Sequence, residues 1–104
     1  MDLNQMAENL DMTRADFLKM AFLLVSTSQK DVSEIEAGLT SKKTDQVAAA
    51  AHSIKGAAGT LGFTALSQKA FELEQAARTG RLSGLEGVKN EIKAQIEMIT
   101  RAVA

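Results

Sequence analysis

The stretch Thr44-Asp-Gln-Val-Ala-Ala-Ala-Ala-His-Ser-Ile-Lys-Gly-Ala-Ala-Gly-Thr-Leu61 decides the fold class, because only a helix gives its apolar residues a common side. With a turn of about 100° per residue, Val47, Ala51, Ile54, Ala58 and Leu61 fall within roughly 40° of one line. That line is a core-facing stripe. His52 lies roughly 140° away from it, in the company of Ala48, Ala49, Gly56 and Gly59. Lys55 follows one turn later and leans toward the same side. The sequence therefore predicts an exposed imidazole with a cation at i+3 and little bulk around it.

Working outward, Gly62 is placed to end this helix in the left-handed conformation. A further helix is expected from about Thr64 to Thr79, with Leu66, Ala70, Leu73 and Ala77 inward and Gly80 as its stop. After Ser83, read as an N-cap, a last helix continues to the end with Leu85, Val88, Ile92, Ile96, Ile99 and Val103 inward. Upstream, Thr13-Arg14-Ala15-Asp16 has the spacing of a capping box. It opens a long helix running to about Leu39, whose stripe is Leu18, Ala21/Phe22, Val25, Ser28, Val32, Ile35 and Leu39. A second apolar edge, Phe17, Met20 and Leu24, is where a short first helix, Leu3 to Leu10, is expected to dock. Proline is absent and no segment alternates with the period of a strand. The expectation is an all-α protein: an antiparallel four-helix bundle with a short additional N-terminal helix, forming a single domain over residues 1–104.

Composition narrows the function. A formal charge of −1 offers no basic patch for nucleic acid or an anionic membrane. Tryptophan and tyrosine are absent, so single strands have few platforms to stack on. Without cysteine there is no disulfide, thiolate or zinc–sulfur chemistry, and no ligand-spaced carboxylate cluster joins the lone histidine, so no metal is expected. The longest strongly apolar run, Ala21 to Val25, is far too short to cross a bilayer. No signal peptide is evident after Met1, which makes a cytoplasmic protein the default expectation. The Met1 start and complete bundle favour a free-standing protein.

The bland reading of His52 is a solvated side chain without a role. Against it stands the company the residue keeps, since a solvent face ordinarily carries glutamate, lysine or glutamine. Each glycine inside a helix costs about 0.5–1 kcal/mol relative to alanine, and Gly56 and Gly59 both lie on the histidine side. Glycine there makes sense if another backbone must come close. For Gly59, at the shoulder of the stripe, that backbone could equally be a neighbouring helix of the same chain. Lys55 is either one charge of a solvated face or the partner of an anion carried on His52. Unperturbed imidazole is largely neutral at pH 7, so a nitrogen is free for attack without a dedicated base.

The stretch His52-Ser-Ile-Lys55-Gly56-Ala-Ala-Gly-Thr-Leu-Gly62, followed by Phe71-Glu-Leu73-Glu74-Gln-Ala-Ala-Arg78-Thr-Gly80, resembles the histidine-containing phosphotransfer (HPt) domain. The resemblance is strong over Val47 to Gly80, and the helix layout extends it to the whole chain. It implies a bundle whose exposed histidine takes a phosphoryl group from a receiver-domain aspartate and passes it to another. By that resemblance His52 is phosphorylated on Nε2, Lys55 is its charge partner and Gly56 gives the receiver clearance, and the small patch Ala48, Ala49, Gly56 and Gly59 is read as the receiver docking surface. It also implies a response-regulator receiver and a histidine or hybrid sensor kinase as partners, with magnesium on the receiver and no cofactor on this chain. A monomer is expected, and no kinase activity, since no Gly-rich nucleotide loop is present.

Two departures stand out. Lys42 and Lys43 occupy a region where family members often carry an acid, and Glu74 stands where some members place an amide. Glu74 is expected to pair with Lys55 or Arg78 before phosphorylation, and no catalytic role is assigned to it. The rival from a different class is a helical adaptor that binds a receiver or other partner without accepting phosphate. A metal-dependent hydrolase built on His52 and Glu74 is the third reading, and it lacks further ligands.

Overall fold

A computed structural model describes residues 1–104 as five helices: α1 (Leu3–Asn9), α2 (Arg14–Ser41), α3 (Thr44–Leu61), α4 (Thr64–Arg78) and α5 (Glu86–Val103). Short connections make consecutive helices antiparallel, and α2, α3, α4 and α5 pack in a closed ring, with α1 laid against α2. No helix is long and apolar enough to cross a membrane.

The caps explain the boundaries. Thr13 Oγ1 accepts from the Asp16 backbone N–H at 3.1 Å, the bond the capping-box spacing predicts. Gly62 ends α3 with φ of 88°, a conformation that costs glycine little. α2 overruns Leu39 and stops at Lys42, while the Lys43 N–H bonds the Gly38 carbonyl at 2.8 Å. Ser83 does not cap α5. Gly84, at φ of 76°, carries the turn further, and the helix begins only at Glu86, after the buried Leu85.

The α3 stripe is buried throughout, as are Leu66, Ala70, Leu73 and Ala77 of α4 and Ile92, Ile96, Ile99 and Val103 of α5. In α2 the stripe needs correction. The line through Ala21, Val25, Ser28, Val32 and Ile35 also takes in Phe17 and Leu24, which are core residues rather than a separate edge. It leaves Phe22 roughly 100° off axis and exposed. Phe17 packs on Phe63 with ring centroids 6.0 Å apart, tying the start of α2 to the α3–α4 turn. Met20 stays outside. At Gly38 a Cβ would meet Val47 Cγ2 at 2.7 Å, so glycine lets α2 and α3 approach closely near the turn that joins them.

Candidate functional site

α3 lies between α2 and α4, and its side chains show which flank faces which neighbour. Ser53 Oγ donates to Asp31 Oδ2 of α2 at 2.7 Å, while Ser67 Oγ of α4 donates to the Lys55 carbonyl at 3.0 Å. The α3 row Ala48, His52, Lys55 and Gly59 therefore runs along α4 rather than along open solvent. This corrects one predicted site residue. Ala48 is buried, because the packed α4 closes over that end of the row, and it cannot belong to a docking surface.

His52 sits where the row meets solvent, with 60% of its side chain exposed. Its Nδ1 is 2.9 Å from Glu74 Oε2, and Nε2 makes no hydrogen bond within the chain. Glu74 is on the buried side of α4, its side chain only 3% exposed. Two cations hold it: Lys55 Nζ lies 2.9 Å from Oε1, and Arg78 donates to Oε2 from Nε at 3.0 Å and Nη2 at 2.7 Å. Burial alone would push the Glu74 carboxyl up, but the bonds from Lys55, Arg78 and His52 outweigh it and bring the pKa from 4.5 down to about 2. Glu74 is thus a carboxylate at neutral pH. As an anion it can only accept, so Nδ1 of a neutral His52 carries the proton and Nε2 holds the free lone pair.

The expected pairing of Glu74 with Lys55 or Arg78 occurs with both at once, and the sequence reading missed that the same carboxylate grips His52. Lys55 also rests over the exposed Phe71 ring, 5.3 Å from its centroid, which restrains the ammonium beside the imidazole. One carboxylate against two cations leaves a local excess of positive charge in the cluster that His52 joins through Nδ1. That is suited to receiving an anion and hostile to a divalent metal. No group of three potential ligands exists anywhere in the chain.

Around this centre Ala49 and Gly56 are exposed, and a Cβ on Gly56 would meet nothing within 4 Å. No internal packing reason for glycine exists there. Gly59 is different: a Cβ would come 3.2 Å from Ser67 Oγ, so its small size also serves the α3–α4 contact. Past Gly56 the surface falls into a groove lined by Met20, Leu23 and Thr27 of α2 and by Ala57 and Thr60 of α3. Met20 and Leu23 expose apolar surface to it.

The family described as Hpt domain matches residues 19–102. The fold is similar to the crystal structure of histidine-containing phosphotransfer protein B from Pseudomonas aeruginosa PAO1. That likeness has a TM-score of 0.83 at 20% sequence identity, over 97% of this chain and 85% of that one. No curated protein sequence matches the chain.

Proposed function

The chain belongs to the Hpt domain family, the histidine phosphotransfer carriers of two-component phosphorelays, and from that premise we propose that His52 is its phosphoryl acceptor. Nε2 of His52 attacks the phosphorus of a receiver-domain aspartyl phosphate, and the group is later handed to the aspartate of another receiver. The observation that carries this reading is the state of the chain's only histidine: exposed, with Nδ1 tied to a buried carboxylate and Nε2 unbonded. Lys55 offsets the roughly two negative charges that arrive with the phosphoryl group. Arg78 keeps Glu74 from acting as an unscreened repulsive charge beside it. The receiver supplies the acidic pocket and its magnesium ion, which stabilise charge in the transition state.

Docking on the solvent side of α3 uses Ala49 and Gly56 for clearance and the groove beside Met20 and Leu23 for apolar contact. Gly59 borders this surface. The reading places the carrier in the cytoplasm as a monomer between a histidine or hybrid sensor kinase and response-regulator receivers, without nucleotide chemistry of its own. The experiment is to mix the protein with each phosphorylated receiver of its source organism. Acid-labile, base-stable label is expected on wild type and none on His52→Gln, with the melting temperature nearly unchanged because the residue is exposed. Receiver binding without any label would replace the carrier by an adaptor.

A further inference from the structure

Phe71 stands on the outer side of α4 among Gln68, Glu72 and Gln75, the residue types a solvated helix face ordinarily carries, and it is 48% exposed. The core does not include it. Its ring lies under Lys55, whose Nζ is 5.3 Å from the centroid. Building on the reading of His52 as acceptor, we propose that Phe71 is a positioning residue: its ring draws the Lys55 ammonium aside from Glu74 and holds it where a phosphoryl group on His52 would meet it.

A lysine ammonium ends a flexible four-carbon stem, so its position is fixed by whatever it contacts. Glu74 alone would draw it straight onto Oε1, as a counter-ion sunk in the α3–α4 seam. It is not seated that way. Nζ comes within 2.9 Å of Oε1 but out of line for a hydrogen bond, so this fully buried oxygen has no aligned donor. A buried carboxylate oxygen left in that state costs free energy, which calls for a competing attraction on the ammonium. The face of the Phe71 ring supplies it, because the quadrupole is negative where Nζ sits. No second carboxylate lies within ion-pair distance of Lys55.

A ring face suits this task better than another carboxylate. It attracts the ammonium without neutralising it, and it is diffuse, so it ties no N–H to a fixed direction. The Lys55 side chain stays 29% exposed, one turn from His52 along the same row. A phosphoryl group on Nε2 brings roughly two negative charges and three acceptor oxygens. Those outweigh a quadrupole, and the ammonium turns to them over a short path. Phe71→Leu keeps an apolar side chain, removes the quadrupole and lets the ammonium settle onto Oε1.

The test loads wild type, Phe71→Leu, Phe71→Trp, Lys55→Ala and the Phe71→Leu/Lys55→Ala double variant in two ways. One donor is phosphoramidate, a small anion that needs no receiver; the other is a phosphorylated receiver over a range of concentrations. Phe71→Leu should slow loading from both donors by about two- to fivefold, the span of a partly exposed cation–π contact. With the receiver, the limiting rate should fall while the half-saturating concentration holds. Phe71→Trp, with the stronger quadrupole, should restore the rate. In the Lys55→Ala background Phe71→Leu should change nothing, since the ring acts only through that ammonium. A loss seen with the receiver alone, or one that persists without Lys55, makes Phe71 a docking contact and overturns the proposal, as do equal rates in Phe71→Leu and wild type. Wild type without label on His52 is a different failure, that of the acceptor itself. Should the variants fold poorly, the wild-type proton spectrum decides: the Lys55 ε-methylene protons should be shifted upfield by the ring current, and unshifted ones sink the proposal.

Discussion

The chain carries a carboxylate between two cations in two places, and only one of them is built to do chemistry. Glu74, between α3 and α4, is almost fully buried and its contacts with Lys55 and Arg78 run from 2.7 to 3.0 Å. Glu36, between α2 and α5, is 42% exposed and meets Lys93 at 3.3 Å and Lys89 at 3.4 Å. Both carboxyls titrate below the ordinary range, Glu36 chiefly through its bond from Lys93. The differences lie in burial, in the histidine and in the rim. Glu36 borders a groove lined by Gln29, Ser33, Lys93 and Glu97, and side chains as long as those of Gln29, Lys93 and Glu97 leave a partner's backbone little clearance. The Glu74 site is rimmed by Ala49 and Gly56. A charge cluster becomes a site when a reactive group is fixed at its edge and the surroundings are cleared for an approaching molecule.

Giving the Glu74 site a rim like that of Glu36 should produce the largest effect. Gly56→Gln places a long side chain in open space beside His52. Transfer from a phosphorylated receiver should fall at least about a thousandfold, which is about 4 kcal/mol in the barrier. Stability should hold or rise, since replacing a mid-helix glycine gains a few tenths to about 1 kcal/mol. Melting temperature and transfer rate measured on one preparation decide it. A destabilised variant that still transfers normally would break the docking-surface argument.

Next in size is acid sensitivity. Glu74 has its folded-state pKa lowered from 4.5 to about 2. A depressed carboxyl contributes stability that is fully present above its unfolded pKa and lost as pH falls through the folded one. A tenfold difference in proton affinity between the folded and unfolded chain is worth about 1.4 kcal/mol. Wild type should therefore lose up to about 3 kcal/mol between pH 4.5 and 2 through this residue. Denaturant midpoints measured across that window should fall steeply for wild type and for Glu36→Gln, and much less for Glu74→Gln. Equal acid slopes in wild type and Glu74→Gln would erase the distinction between the clusters.

Lys55→Ala comes third. Arg78 and His52 still hold Glu74, so the fold survives, and one half-buried charge pair is worth on the order of 1 kcal/mol. Transfer should slow, or the phosphohistidine lifetime shorten, by roughly tenfold and by less than a hundredfold. Rates and lifetimes equal to wild type would make the lysine part of a solvated face.

How much of this was legible follows from helical geometry. The stripes of α3, α4 and α5 could be read because one face of each helix meets one core. The α2 stripe was misjudged at Phe22 because a helix with neighbours on several sides has a wide buried arc, and its centre is set by packing rather than by local sequence. The position of His52 was legible, and the neighbour it faces was not. Placing Ala48 on the surface assumed that the side away from the stripe is solvent, whereas α4 covers that flank. A signal for the missed His52–Glu74 bond did exist. Ala48, His52, Lys55 and Gly59 on α3 repeat the spacing of Ser67, Phe71, Glu74 and Arg78 on α4. Two antiparallel rows with the same spacing, one bearing His and Lys and the other Glu and Arg, mate across a helix pair. Gly38 gave no comparable sign, since its need for a bare Cα arises from Val47 across the turn.

The smallest effect should come from Glu36, and its smallness is what the comparison requires. Lys89 keeps its partner Glu86 at 2.8 Å when Glu36 is neutralised, so no buried charge is stranded. Lys93 is half exposed and returns to water at little cost. Longer contacts in a solvated groove put Glu36→Gln at about 0.2–1 kcal/mol, the range for exposed pairs. Salt should shrink even that, since the screening length falls from about 8 Å at physiological ionic strength to about 3 Å at 1 M. Phosphotransfer should match wild type, because the α2–α5 groove lies on other helix faces than His52. Chemical denaturation with urea at low and at about 1 M sodium chloride, beside a transfer assay, measures all of this. A loss as large as that of Glu74→Gln, or a slowed transfer, would show that the two clusters are coupled through the bundle and that burial was the wrong distinction to draw.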